Sequence, residues 1–472
     1  MKFTTRQLWL CLAALACVLF GATRNVFAEG GAEGGAAHGL DPLVLIGLAV
    51  VLVVAKLSGE VFERFGQPAV LCDLVGGVIV GYLVLLGVSA VEPQKKNAII
   101  GAIAELGVII LLFEVGLESN LGEMLEVGWS SLFVAVVGVI APFFLGWGVA
   151  AYFLPDEATL GHIFIGAVLC ATSVGITARV LKDLGKLNTR ESRIVLGAAV
   201  IDDVLGLLIL AIIGGAIRAS AAGATLSLMS VFLIAAKSLV FLVGAIIVGH
   251  YLMPHLFRGA GRLEGRGVLL ALALAFCFAL AWLAALVGLA PIVGAFAAGL
   301  VLDEVHFEEF NRRGEQQLHK LLGPLSMIFV PVFFVLMGLK VDLRAFARPD
   351  ILGFAAVLTL AAIVGKQVCS LAVAERGLNR LSIGLGMIPR GEVGLIFAGI
   401  GATLMLPNAQ GVSEPVIGPA TFGAVVLMVI VTTLVTPPAL KWSLSRGTPP
   451  PAEPLTDAER EVANDAAERT TR

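Results

Sequence analysis

Long apolar windows separated by short polar connections run along most of the chain. Each window approaches the roughly 20 residues that a helix needs to cross the hydrocarbon core of a bilayer. The thirteen windows lie at about 42–61, 69–88, 98–117, 129–153, 159–180, 193–217, 228–253, 266–287, 289–303, 321–340, 351–373, 380–404 and 418–442. The pattern therefore predicts an all-α polytopic membrane protein with about 13 transmembrane helices.

Composition supports this fold class and argues against several others. Of the 472 residues, 58% are hydrophobic and only 14% are charged, which leaves almost nothing for a separate water-soluble core. A net charge of -3 offers no basic surface for nucleic acid. The six cysteines lie in apolar stretches without metal-ligand spacing, so we expect packing residues and neither a zinc site nor disulfides. We expect no cofactor and no enzymatic activity.

The two ends of the chain differ from the apolar middle. Residues 1–28 combine a basic start, an apolar run and a small-x-small pattern ending at Ala28, which predicts a cleaved signal peptide. An uncleaved first helix is the alternative. Residues 29–40 are predicted to form a Gly-rich extracytoplasmic segment. Residues 443–472 are Pro-rich and then charged, which predicts a disordered cytoplasmic tail.

Basic residues between the windows predict the orientation in the membrane. Two connections rich in lysine and arginine fall on the side that an odd number of spans and an outer N-terminus make cytoplasmic. They contain Arg179, Lys182, Lys186, Arg190 and Arg193 in one case, and Arg258, Arg262 and Arg266 in the other. The basic connection at 340–348 runs against the rule. We expect a multi-pass protein of the inner (plasma) membrane with an extracytoplasmic N-terminus and a cytoplasmic C-terminus.

Charged side chains inside the windows point to function. Asp202 and Asp203 lie about ten residues into the sixth window, which places them roughly 14 Å deep. Successive helix positions differ by about 100°, so one carboxylate can face a water-filled cavity while the other faces a neighbouring helix. Intramembrane carboxylates generally mark ion paths or proton relays, with a purely structural pair as the alternative. Lys366, at a similar depth in the eleventh window, is the expected counter-charge unless it snorkels to the inner face.

Two windows are interrupted near the membrane centre. The twelfth holds Pro389, Arg390 and Glu392 among glycines, so a continuous helix is disfavoured and the two charges could offset half-helix dipoles. The fifth holds Thr172 and Ser173, whose hydroxyls could supply oxygen ligands or simply bond back to their own helix. Windows five and twelve cross in opposite directions. The arrangement predicts an inverted repeat with two crossed, unwound helices, which is typical of secondary transporters.

Several motifs resemble the cation:proton antiporter-2 family, the bacterial monovalent cation/proton antiporters. They are Gln67-Pro68-Ala69-Val70-Leu71, Ala104-Glu105-Leu106-Gly107, Thr172-Ser173-Val174-Gly175-Ile176-Thr177, Asp202-Asp203, Pro331-Val332-Phe333-Phe334, Gly338-Leu339-Lys340-Val341-Asp342, Lys366 and Pro389-Arg390-Gly391-Glu392. The resemblance implies the sodium/proton antiporter fold over about 41–442. A core domain, built from about 129–217 and 351–442, would move against a dimerisation domain built from about 42–117 and 266–340.

The resemblance also implies roles for individual residues. Asp203 looks like the carboxylate that binds the monovalent cation and the proton in turn, and Asp202 like the partner of Lys366. The other expected site residues belong to the two interrupted windows: Thr172 and Ser173 in the fifth, and Pro389, Arg390 and Glu392 in the twelfth. Glu105 and Glu114 in the third window carry no implied role in transport.

The function implied by the resemblance is antiport across the bilayer. Na⁺ or Li⁺, with K⁺ as the alternative, would exchange for protons by elevator-type movement in a homodimer. Exchange would arise because one carboxylate cannot hold a proton and a cation well at the same time. Three alternatives stay open: an anion/sodium symporter with a similar core, a cation channel or sensor of the same fold, and an intramembrane aspartyl protease. The protease needs acids on different helices, whereas Asp202 and Asp203 are adjacent.

Overall fold

The computed structural model describes residues 42–63, 68–85, 97–119, 128–187, 189–221, 228–260, 267–302, 317–342, 344, 348–407 and 413–445. The predicted signal peptide and Gly-rich segment lie outside these residues. So do residues 446–472 of the predicted tail.

The described chain is almost entirely helical. In chain order the helices are α1 (Pro42–Glu63), α2 (Ala69–Leu85), α3 (Ala98–Glu118), α4 (Trp129–Phe153), α5 (Thr159–Val168), α6 (Val174–Asp183), α7 (Arg190–Ala221), α8 (Leu228–Ala260), α9 (Val268–Val287), α10 (Pro291–Val301), α11 (Leu318–Leu339), α12 (Pro349–Val368), α13 (Arg380–Gly386), α14 (Gly391–Thr403) and α15 (Pro419–Ser445). A 3-10 turn, Cys369–Ala372, follows α12. Strands β1 (Met405–Pro407) and β2 (Ser413–Pro415) form an antiparallel hairpin. The all-α prediction is confirmed.

Most of these helices suit a bilayer. Among the described residues, nine helices are long and apolar enough to cross a membrane. Helices α13 and α14 together make a tenth candidate, bent by 44° at the break between them. The shorter apolar helices are α2, α5 and α10. The chain is therefore a polytopic membrane protein, as the hydropathy pattern predicts.

Contacts between helices divide most of the chain into two bundles. In the first, α3 packs against α10 and α11, α2 packs against α1 and α11, and α9 packs against α10. In the second, α4 packs against α5, α7 and α12, while α15 packs against α12, α13 and α14. Helix α8 touches both α7 and α10 and so connects the two. We call the first the scaffold bundle (α1–α3 and α9–α11) and the second the core bundle (α4–α7 and α12–α15).

Close packing in the scaffold bundle depends on glycine. A Cβ added to Gly116 of α3 would overlap the Phe296 carbonyl oxygen of α10 and lie 3.0 Å from the Gly299 Cα. Small residues at such crossings let helix backbones approach, which replaces the hydrophobic driving force that lipid does not supply.

Replacing Gly116 with alanine should therefore destabilise the scaffold bundle. We expect a lower melting temperature in detergent, corresponding to roughly 1–3 kcal/mol, because α3 and α10 must separate to admit the methyl group. Gly101→Ala on the same helix is the matched control, since a Cβ there meets no atom within 4 Å. Equal melting temperatures for the two variants would contradict this packing.

The two ends of the core bundle are chemically different. At one end, near the basic connection of 179–193, Lys186 Nζ donates to the Leu444 carbonyl at 2.7 Å, and Asn379 Nδ2 donates to the Ser443 carbonyl at 3.0 Å. We call this the basic end. The β-hairpin lies at the opposite end, called the hairpin end.

Candidate functional site

The two interrupted helix pairs meet inside the core bundle. The Ser173 N–H, between α5 and α6, donates to the carbonyl of Pro389, between α13 and α14, at 2.8 Å. The Thr172 hydroxyl donates to the Met387 carbonyl at 3.4 Å. Each break thus supplies hydrogen-bond partners to polar groups of the other. These bonds are needed because lipid tails cannot form hydrogen bonds with the backbone groups that a broken helix leaves unpaired.

Local sequence explains why the helices stop here. Pro389 has no N–H and disfavours the helical conformation of the residue before it. Gly391, the first residue of α14, has a φ of +31°, and a Cβ there would lie 2.5 Å from the Ser173 Cβ. In the α5–α6 break neither proline nor glycine is present, and the hydroxyls of Thr172 and Ser173 bond to groups of the opposite break instead of to their own helix.

Arg390 and Glu392 bind groups of the opposite break. Arg390 is fully buried, and its guanidinium donates to the Ala171 carbonyl at 2.6 Å and to the Ala362 carbonyl at 3.1 Å. It therefore places positive charge just beyond the carboxyl end of α5, where the helix dipole is negative. Glu392, in the first turn of α14, accepts from the Ser173 hydroxyl at 2.7 Å. Negative charge is favoured at that amino end.

Asp202 and Lys366 form an ion pair between α7 and α12. Lys366 Nζ donates to Asp202 Oδ1 at 2.8 Å, and both side chains are 0% exposed. The structure thus brings together the two residues that the family resemblance pairs. A pair buried this completely needs both members, since the loss of either leaves an uncompensated charge in an apolar interior.

Asp203 lines a cavity between the two bundles. Its side chain is 6% exposed, and its Oδ1 has no hydrogen-bond partner among the described residues. The cavity has a volume of about 260 Å³. Glu392 lines it from the core bundle, and Glu114 and Glu118 line it from α3. Adjacent residues of α7 therefore have different surroundings, as the helical rotation of about 100° per residue allows.

Comparison with known proteins identifies the family. Residues 49–444 match the family model described as sodium/hydrogen exchanger, transmembrane. The chain belongs to the sodium/hydrogen exchanger family. This exchanger-family chain is 40% identical over 441 residues to the high-affinity Na⁺/H⁺ antiporter NhaS3 of Synechocystis sp., covering 85% of the chain and 91% of that relative. It is 33% identical over 401 residues to the Na⁺/H⁺-K⁺ antiporter GerN of Bacillus cereus, covering 84% and 95%.

The fold of this exchanger-family chain is also that of a solved structure. It is similar to the sodium proton antiporter MjNhaP1 from Methanocaldococcus jannaschii with a TM-score of 0.62 at 16% identity, covering 85% of this chain and 97% of that one. The comparisons confirm the predicted resemblance to monovalent cation:proton antiporters. They also confirm that the chain is a transporter and not an enzyme, which makes the protease alternative wrong.

Sequence reasoning misses the position of two acidic residues of this exchanger-family member. The apolar pattern does not single out Glu118 and gives Glu114 no role, yet both line the cavity that holds Asp203. Their spacing is the available signal, since residues four apart share one face of a helix. Only the packing of α3 against the rest of the protein shows what that face meets.

Proposed function

We propose that the protein is a secondary antiporter that exchanges Na⁺ or Li⁺, with K⁺ as the alternative, for protons. The observation that carries this proposal is Asp203, a buried carboxylate with an unpartnered oxygen on an acidic cavity. A proton and a partly dehydrated cation compete for the same oxygens, so the carboxylate releases one when it takes the other. The related proteins named as Na⁺/H⁺ and Na⁺/H⁺-K⁺ antiporters support this cation class.

In this proposal the remaining site residues hold the crossing open around Asp203. Thr172 and Ser173 place hydroxyl and backbone oxygens at the break, from which a cation could draw further ligands. Arg390 and Glu392 offset the ends of the broken helices, and Pro389 keeps the second break from closing. The Asp202–Lys366 pair joins α7 to α12 next to the carboxylate that titrates.

We infer thirteen membrane crossings. The nine long helices and the bent α13–α14 pair account for ten crossings. Helix α2, helices α5 and α6 together, and helix α10 supply the other three. The basic end would face the cytoplasm, because lysine and arginine are retained on that side. This orientation gives an outer N-terminus and an inner C-terminus in the plasma membrane, and the scaffold bundle would form the homodimer.

Alternating access would arise from movement of the core bundle against the scaffold bundle. The cavity at Asp203 reaches the end of α3 at Glu118 and Ser119, and the following helix α4 begins at the basic end, where Ser130 accepts from the Ala374 N–H at 3.0 Å. At the hairpin end the bundles touch instead. There Arg218 of α7 donates to the carbonyl of Gly288, the residue that ends α9, at 2.8 Å. This conformation would be open to the cytoplasm.

Replacing Arg218 with alanine should shift the protein towards the outward-open conformation. The bond to Gly288 joins the two bundles and must break when the core bundle moves, so its loss removes stabilisation from the inward-open state alone. A hydrogen bond to a charged donor is worth about 1.5–3 kcal/mol and less when partly exposed. We expect a Ser119→Cys reporter in the cavity to react several-fold more slowly with a hydrophilic maleimide in inside-out vesicles.

Arg376→Ala is the matched control for Arg218→Ala. Arg376 is an exposed arginine near the basic end, so the substitution removes the same charge without touching the contact between the bundles. It should leave the labelling rate of the reporter unchanged. Equal labelling rates in the two variants would contradict the claim that the Arg218 contact stabilises the inward-open conformation over the outward-open one.

Proton flux in proteoliposomes tests the function itself. The purified protein is reconstituted with an internal pH dye, and sodium, lithium or potassium is added in turn with the membrane potential clamped or free. We expect sodium and lithium to trigger a pH change. Cation movement without proton movement would favour a channel, and no response from folded protein would overturn antiport.

A further inference from the structure

Helix α3 of the scaffold bundle presents two carboxylates to the cavity that holds Asp203. Glu114 and Glu118 are four residues apart and therefore lie on one face of the helix, at two depths. Glu392 and Asp203 line the same cavity from the core bundle, and no described lysine or arginine lines it. The path from solvent to Asp203 is thus bordered by carboxylates from both bundles.

The two scaffold carboxylates have different surroundings. Glu118 lies nearer the surface, with a side chain that is 66% exposed and an Oε1 that lies 4.0 Å from Nδ1 of the exposed His319. Glu114 is half-buried one turn deeper, and its Oε2 accepts from the Ser326 hydroxyl of α11 at 2.7 Å. A hydroxyl orients the carboxylate without supplying positive charge. Glu114 is therefore held at the cavity wall while its negative charge stays available to a cation.

The size of the cavity suits a cation that still carries water. A cavity needs only about 10–15 Å³ of such space to hold one water molecule, so about 260 Å³ has room for several. Asp203 lines this space with a side chain that is more than nine-tenths buried, and its Oδ1 has no hydrogen-bond partner among the described residues. Negative walls around such a cleft concentrate cations before they bind.

We propose that Glu114, together with Glu118, forms an entry site that holds a partly hydrated alkali cation before it passes to Asp203. The inference rests on the proposed function, since it assumes that Asp203 is the transport carboxylate. Glu114 belongs to the scaffold bundle and Asp203 to the core bundle, so the two face each other only while the cavity is open at the basic end. The entry site accordingly sets the apparent affinity for the cytoplasmic cation and leaves the other membrane face unaffected.

Kinetics measured separately at the two membrane faces test this entry site. Sodium-dependent proton flux is recorded for the wild type and Glu114→Gln in inside-out and in right-side-out vesicles. We expect the KM for sodium at the cytoplasmic face to rise roughly tenfold, the low end of electrostatic effects on ion capture. The maximal rate, and the KM at the opposite face, should stay at wild-type values.

Two further variants make the result specific. Glu105→Gln removes the same charge from an exposed position of the same helix off the cavity, and it should match the wild type at both faces. Glu118→Gln repeats the test at the exposed entrance of the cavity, where folding depends less on the side chain. It should raise the KM for sodium at the cytoplasmic face by a smaller factor than Glu114→Gln does.

The possible failures are separable. Wild-type kinetics at both membrane faces for Glu114→Gln and Glu118→Gln would overturn the entry site. An equal change in KM at both faces, or a lower maximal rate with an unchanged KM, would overturn it as well, because either result indicates a structural role. Absence of sodium-coupled proton flux in the wild type would instead overturn the proposed function.

Discussion

Replacing Asp203 with asparagine should reduce cation-coupled proton flux to that of protein-free liposomes while leaving the protein folded. Asparagine keeps the shape of the side chain but can neither release a proton nor offer a negative charge to a cation. Because Oδ1 of Asp203 has no hydrogen-bond partner among the described residues, an amide at that atom breaks no bond there. Flux is measured in proteoliposomes, and folding by the melting temperature in detergent.

Glu105→Gln is the control for this loss, since it removes a carboxylate from the scaffold bundle away from the cavity and should retain exchange. Exchange that survives in Asp203→Asn would refute the assignment of the transport carboxylate. If Asp203→Asn loses both flux and the folded state, Asp203→Ser is tested in its place, because serine is a smaller polar side chain that also lacks the charge. Exchange by Asp203→Ser would equally refute the assignment.

Replacing Lys366 with methionine should strongly destabilise the core bundle. The substitution keeps an unbranched apolar chain but leaves Asp202, a 0% exposed carboxylate, without its partner at 2.8 Å. Removing one member of a buried pair typically costs about 3–5 kcal/mol. The measurement is unfolding in detergent, where we expect a large fall in melting temperature.

The double variant Asp202→Asn with Lys366→Met separates charge from packing. Removing both charges avoids the uncompensated carboxylate, so the double variant should recover much of the stability that the single variant loses. A double variant as unstable as Lys366→Met would show that the lysine contributes through packing alone. A Lys366→Met protein with the wild-type melting temperature would contradict the buried pair.

Hydropathy predicts the positions of the helices well and their ends less well. The window at 129–153 coincides with α4, because nearly every residue there is apolar. Helix α7 extends past both ends of its window, to Arg190 and Ala221, since polar residues at a membrane surface end the apolar window without ending the helix. The window at 159–180 covers two helices, because an interruption made by hydroxyl residues barely changes mean hydropathy.

The sequence predicts which site residues carry charge, but not all of their partners. Depth matches Lys366 with the pair of aspartates, and the family resemblance is needed to choose Asp202 over Asp203. The contact of Arg390 with the Ala171 carbonyl joins residues 219 apart in the chain, and nothing in the local pattern of α14 indicates it. Glu114 has no role in the sequence pattern, because hydropathy does not show which face of α3 meets the other bundle. Only the packed bundles show that it lines the cavity that holds Asp203.

Counting protons released on cation binding tests the central claim, that one carboxylate holds either a proton or a cation. Sodium is titrated into the purified wild type and into Asp203→Asn in weakly buffered detergent, with bound sodium and released protons measured on the same samples. The account predicts proton release that saturates together with sodium binding in the wild type, and none in Asp203→Asn. Sodium binding without proton release in the wild type, or undiminished release from Asp203→Asn, would contradict it.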